Sequence, residues 1–567
     1  MLRKANCNVL ILFLATTTLA FGQQTQSLQH IWEVDPSLGS IWELEQEKRF
    51  VRLDFELLKS RFAKDRLELV QLISLEHNDP RFHQRKKALE LLLDRLKSGE
   101  ENLQVRQAML AAVILLSDAS HAALLWSIVT ADSPFRSSLE RKLVQWKSPV
   151  ALQDWRHRLD DPTAKPTELA TALEGLMAVG NADDQLALQS VIRASHSSVA
   201  NKYLAACALG TLVTEGLNEF AQQVLDSNLD QRHLLAAQLI RLHSGASTEK
   251  QMRLILRDGP ASAQLVAYRF MTENSPDASR EFVKQMTSHS DPSLRTLAIR
   301  FLHRFNDDES LQIQGALLND RNPDIRKLVA KHLIEKASQG LRARVDECVV
   351  SHLESAEWTG IEKAIFVSVA LQDRSRCKEF LRLLEHPRPE VNLIAGWALM
   401  EIGDQEEILA RMLDHAEKMT AELKSSEIVS LISHTDRIRL SYLHEAFGKN
   451  RYEPANQMLL KYVPKLGHQF GNISRASAIW SLGKLNKGKR NDALRASLHD
   501  RISDLSPINP EDNLVRFTCH LALGEMANPD SSAVNKRFRE NLPSPVAYAA
   551  DWALMKIDQA SAAKPTE

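Results

Sequence analysis

Val391-Asn-Leu-Ile-Ala395-Gly-Trp397-Ala398-Leu399-Met400-Glu-Ile402 returns, nearly residue for residue, as Val546-Ala-Tyr-Ala-Ala550-Asp-Trp552-Ala553-Leu554-Met555-Lys-Ile557. Counted from Val391, apolar or small side chains stand at positions 0, +4, +7, +8 and +11, the stripe that a period of about 3.6 residues lays along one face of a helix. The same stripe fits at Val105, Phe135, Leu169, Asn201, Arg232, Ala263, Leu294, Ile325, Gly360, Val391, Asp436, Ser474, Val515 and Val546, and between Asn201 and Ile325 each step is 31 residues. A weaker unit precedes the series near Gln84 to Leu92. A unit of that length cannot bury its own apolar face, so its copies must stack. The expected fold is all-α: an α-solenoid, or α/α superhelix, of about 14–15 stacked helical units across residues 80–558.

Between successive motif helices lies a second apolar-periodic stretch, as at Leu311 to Leu318, Val345 to Leu353 and Cys377 to Leu384, so each unit reads as a helical hairpin. Asp291-Pro292, Asn322-Pro323 and Arg388-Pro389 put proline in the first turn of the motif helix, where a missing N–H leaves no hydrogen bond unmade. Small residues recur at +7 (Ala112, Ala398, Ala522, Ala553), and glycine at +9 (Gly210, Gly483, Gly524). They predict close approach of neighbouring helix backbones.

The segments Asp291-Pro292-Ser-Leu294-Arg295-x-x-Ala298 and Asp320-x-x-Pro323-Asp-Ile325-Arg326-x-x-Val329 resemble the HEAT repeat, in which an Asp-Pro turn and a Val-Arg pair open the second helix. The short period and the Ala-Leu-Gly endings at Gly210 and Gly524 are most similar to the bacterial, phycobilisome-lyase-like variety. The resemblance implies a structural role for Arg106, Arg136, Arg295, Arg326, Arg475 and Arg516, as a ladder between the motif arginine and the turn aspartate of neighbouring units.

Lys plus Arg number 71 against 72 Asp plus Glu, so no global field draws the chain to nucleic acid. Arg3 and Lys4, the apolar run Val9 to Ala20 and the small residues of Ala20-Phe21-Gly22 read as a signal peptide over residues 1–22, cleaved before Gln23. That implies a periplasmic or extracellular protein. No later stretch is apolar for the ~20 residues a membrane span needs, and no cysteine follows the expected cut to carry a lipid. Cys207, Cys348, Cys377 and Cys519 are scattered, and free thiols are expected. Residues 23–79, with the echo Ile31-Trp32-Glu33 and Ile41-Trp42-Glu43, read as a charged helical cap, and 559–567 as a disordered tail.

No nucleophile elbow, phosphate loop, His-Glu-x-x-His or Cys-x-x-Cys is present, so neither catalysis nor a cofactor or metal is expected. His289, His303, His332 and His386 occupy different registers and read as hydrogen-bonded or surface histidines. One column stands out. Position +6 carries Arg269, Arg300 and Lys331, then Phe366, Trp397, Tyr442, Trp480, Leu521 and Trp552. Two readings stay open: a partner-binding stripe of cations and aromatic anchors, or rings that fill wider gaps between the longer C-terminal repeats. The sequence favours a non-catalytic scaffold holding a protein or peptide on its concave face. A chromophore-delivery protein like a bilin lyase, or a structural, oligomer-forming subunit, are the alternatives.

Overall fold

A computed structural model describes residues 54–76, 84–99, 102–131, 133–425, 431–465, 469–539 and 544–562. The expected signal peptide and most of the expected cap lie outside the described residues. Among the described residues there is no strand. The chain divides into two compact units, with residues 49–301 in the first and 302–567 in the second.

Every expected motif register meets a helix. We number these motif helices α1 (Leu103–Leu116), α2 (Arg136–Gln145), α3 (Pro166–Val179), α4 (Val199–Leu212), α5 (Arg232–Ile240), α6 (Ala261–Asn274) and α7 (Pro292–Leu302). The series continues with α8 (Pro323–Lys336), α9 (Trp358–Ala370), α10 (Pro389–Ile402), α11 (Leu431–Lys449), α12 (Asn472–Leu485), α13 (Asn513–Met526) and α14 (Pro545–Ala562). Each is preceded by a first helix of its hairpin, such as Asn218–Asp226 before α5 or Arg342–Leu353 before α9. Motif helix packs on motif helix: α4 lies between α3 and α5, and α12 between α11 and α13. Each unit is therefore a stack of helical hairpins, and the apolar stripe is its core. Val391, Ala395, Ala398, Leu399 and Ile402 are all buried, as are Val546, Ala550, Ala553, Leu554 and Ile557.

Local chemistry starts the helices where the sequence places them. Pro323 occupies the first turn of α8, and the Asn322 side chain accepts from the Asp324 N–H at 2.8 Å, satisfying one of the orphan donors of a helix start. Asn102, Ser198 and Asp512 cap α1, α4 and α13 in the same way. The glycines do what their spacing predicts. A methyl group on Gly210 would sit 2.2 Å from the carbonyl oxygen of Gln238 in α5, and one on Gly483 would sit 2.6 Å from Cα of Ala522 in α13. Backbone rather than a pliant side chain stands in the way. Gly210→Ala is accordingly expected to force α4 and α5 apart and destabilise the first unit by about 1–3 kcal/mol, measured by chemical denaturation; an unchanged unfolding midpoint would contradict the contact.

The motif arginines make bonds that the expected ladder did not include, to backbone carbonyls. Arg295 donates to the carbonyls of His289 (2.8 Å) and Ser290 (3.1 Å), and Arg326 to that of Asp320 at 2.7 Å. Arg136 donates to Val129 O, Arg516 to Ile502 O, and Arg475 to Tyr462 O and Val463 O. Each guanidinium reaches back to carbonyls at or just beyond the end of the preceding first helix, inside its own hairpin. The reason is geometric: the last turn of a helix leaves four carbonyls without intrahelical partners, carrying the negative end of the helix dipole. Two of the arginines also meet a carboxylate of the next hairpin: Arg136 that of Asp154 at 3.0 Å, and Arg475 that of Glu511 at 2.8 Å through both terminal nitrogens. Arg106 is exposed.

At the N-terminal side, helix Ala63–Glu76 packs against α1 and contributes buried Leu69, Val70 and Ile73 to the core that includes Val105 and Met109. At the other end α14 runs through Ala562, so the stretch expected to be a disordered tail is helical in its first four residues, 559–562. Cys207, Cys348, Cys377 and Cys519 are unpaired; all but Cys348 are buried.

Candidate partner-binding face

The column at +6 separates into two environments. In the first unit, Arg269 on α6 and Arg300 on α7 are exposed. Beside Arg269, helices α4, α5 and α6 enclose a cleft of about 440 Å³ walled by half-buried Tyr203, Leu234, Leu265 and Val266 and by exposed Leu242. Gln238 donates to the Tyr203 hydroxyl at 3.3 Å, and Arg241 to Thr211 Oγ1 at 2.7 Å, so the polar part of the wall is oriented. A volume within the roughly 300–1,000 Å³ of small ligand sites, with apolar walls and a few placed polar groups, suits one or two side chains of a partner.

In the second unit Lys331 is exposed, while Phe366 and Trp397 are half-buried and lie nearly parallel, ring centroids 6.2 Å apart and planes 17° from parallel. The Lys363 ammonium stands 6.0 Å from the Phe366 ring, at the edge of cation–π range. The other members of the column are a correction to the partner-binding stripe. Tyr442, Trp480, Leu521 and Trp552 are buried, at 0%, 7%, 1% and 5% exposure. Glycines on the preceding motif helix explain why. The Trp480 ring fills the space above Gly448 and the Trp552 ring that above Gly524, where an added methyl would meet ring carbon at 2.7 Å and 2.5 Å. With Phe517, Leu521 and Val546 these two tryptophans form one continuous apolar cluster. Only Arg269, Arg300, Lys331, Phe366 and Trp397 of the column keep exposed or partly exposed side chains.

Strongly shifted titratable groups often mark a site, yet here several of them are sealed inside. Burial pushes the His444 imidazole down to about 4 and the Glu445 carboxyl well above the usual carboxylate range. Both are essentially inaccessible on α11. The four histidines singled out in the sequence part company. His289 Nδ1 accepts the Asp291 N–H at 2.9 Å and His386 Nδ1 the Arg388 N–H at 3.1 Å, fixing the turns ahead of α7 and α10. His303 and His332 stack face to face with Glu335 beside them, a meeting the register count did not show. The hint was a spacing two residues short of the 31-residue period.

No family model matches the chain, and no curated protein matches it. Solved structures do. Kap121p bound to RanGTP is 14% identical with a TM-score of 0.42, over 96% of this chain and 56% of that one. Kap121p bound to the extreme C-terminus of the protein phosphatase Cdc14p is 12% identical with a TM-score of 0.45, over 93% and 57%. Importin beta crystallised in an ammonium sulfate condition is 12% identical with a TM-score of 0.45, over 88% and 72%. The chain spans a little over half the length of the Kap121p chains. On its own geometry, each of its two units is an α-solenoid of HEAT-like helical hairpins.

Proposed function

We propose that the chain is an exported, non-catalytic scaffold that holds a protein or peptide on the concave face lined by its motif helices. The observation that carries this reading is the cleft between α4, α5 and α6, which mixes apolar side chains with Gln238 and Ser262 and is bordered by Arg241 and exposed Arg269, with exposed Glu273 also on its rim. The fitting ligand is a segment with one or two apolar side chains next to a carboxylate, which the guanidinium groups recognise in bidentate fashion. The half-buried rings of Phe366 and Trp397 offer a second, apolar contact. Export rests on the charged start and apolar run of residues 3–20.

The test uses the mature protein, expected to begin at Gln23 on N-terminal sequencing, as target for a displayed peptide library. Acidic-apolar peptides should be selected, and Arg241→Glu with Arg269→Glu should weaken them by about tenfold or more, as expected when two oriented cations become anions. Peptides that bind the charge-reversed protein equally well would overturn the assignment of the cleft.

A further inference from the structure

The turn after α7 and the last turns of α8 bring two imidazoles and a carboxylate together. The rings of His303 and His332 lie 3.9 Å apart between centroids and 17° from parallel. His303 Nε2 is 3.2 Å from Glu335 Oε2. Taking one donor atom from each residue, the three atoms lie within 4.8 Å of one another. His332 is 7% exposed, and its Nδ1 is buried with no hydrogen-bond partner among the described residues, as is Nδ1 of His303. Two imidazoles packed face to face with buried, unsatisfied nitrogens are not explained by the packing of a HEAT-like hairpin. Hydrogen-bonded imidazoles such as those of His289 and His386 are.

We propose that His303, His332 and Glu335 form a site for a divalent transition-metal ion of the imidazole-preferring class, of which zinc is the representative. Two nitrogens and one carboxylate oxygen supply three protein ligands, leaving at least one position for water, since the Glu335 side chain is 41% exposed and opens the site on one side. Zinc sits about 2 Å from nitrogen and oxygen donors, so tetrahedral ligands lie roughly 3.3 Å from one another and the donors must close by about 1.5 Å. Turning the Glu335 side chain and opening the angle between the rings supply that movement. Burial holds both imidazoles below their ordinary range, His332 at about 4, and the neutral ring is the form a metal binds. Two lysines work against the ion. Lys331 Nζ is 3.8 Å from Glu335 Oε1 but 71% exposed, and Lys336 is buried with its ammonium bonded to Asn306 Oδ1. Glu335 itself, and Asp307 beside Lys336, offset them. Hard cations with all-oxygen preference, such as magnesium and calcium, do not fit a set with two nitrogen ligands.

The experiment is titration of the full, chelator-treated chain with Zn²⁺ by calorimetry, with Co²⁺ as an absorbing substitute. One ion per chain is expected to bind above the background of scattered surface histidines, with tetrahedral Co²⁺ bands in the visible spectrum. Glu335→Gln, a change at a partly exposed position that leaves the core intact, is expected to lower affinity by at least about tenfold, the loss typical of a disturbed metal shell. His303→Ala with His332→Ala, checked for folding by circular dichroism, should remove the site, whereas His386→Ala should leave it unchanged. Absence of a stoichiometric site in the wild-type chain, or an unaltered site in the Glu335 and double-histidine variants, would overturn the proposal.

Discussion

Glu511→Ala should lower the stability of the second unit by about 3–5 kcal/mol, because it leaves the Arg475 guanidinium buried without its counter-charge. Both partners are nearly inaccessible, with side chains 5% and 1% exposed, and their fork-to-fork bonds are 2.8 Å each. Burial alone raises the carboxyl of Glu511. The Arg475 bonds and charge, the Asp512 N–H and Arg501 together outweigh that and hold it below the usual range. A carboxylate depressed in the folded state contributes stability that is full above its ordinary value, near 4.5, and is lost as the pH falls through the lowered one. The difference in unfolding free energy between the natural chain and Glu511→Gln should therefore be complete at pH 7 and shrink in acid below about pH 4, where both chains carry a neutral group opposite Arg475. Denaturant titrations at several pH values would show this. A difference that persists undiminished at the acid end would refute the pairing.

Trp480→Ala is the second large effect, expected to cost about 3–5 kcal/mol as a buried aromatic ring is replaced by a cavity. Trp397→Ala, at a half-buried position, should cost clearly less. Arrays of repeats need not unfold in one step, so the comparison belongs to hydrogen exchange. Amides of α12 and its neighbours should lose protection in the Trp480 variant while those of the first unit keep theirs. Equal, small effects of the two substitutions would give Trp480 the partly exposed setting of Trp397.

The contrast between those tryptophans shows where reading the sequence stops. The stripe at 0, +4, +7, +8 and +11 locates all the motif helices, since burial of an apolar face is the main driving force for folding and here recurs along the chain. Even Asp436, a poor match, starts a register whose Leu440, Leu443, His444 and Phe447 are buried. The +9 glycines are legible as backbone contacts for the same reason. What the period does not encode is what a neighbouring helix lacks. Trp480 and Trp552 turn inward because Gly448 and Gly524 leave room one helix earlier, a relation between two units rather than within one. The motif arginines are recognisable as structural, but the sequence does not show that open carbonyls of the first helix are among their acceptors. His303 and His332 meet because the former lies in the turn just beyond α7, where a helical register no longer describes its direction.

That the motif arginines bond back within their own hairpins has an evolutionary consequence. Arg326 and Arg516 find carbonyl acceptors in the same unit, so a gene that gained or lost a whole unit at such a place would keep those bonds. Growth by tandem copying is easy there. Between α2 and α3 and between α12 and α13 the rule is broken, because Arg136 and Arg475 each also use a carboxylate supplied by the following hairpin, Asp154 and Glu511, and loss of that hairpin would leave the guanidinium without its counter-charge.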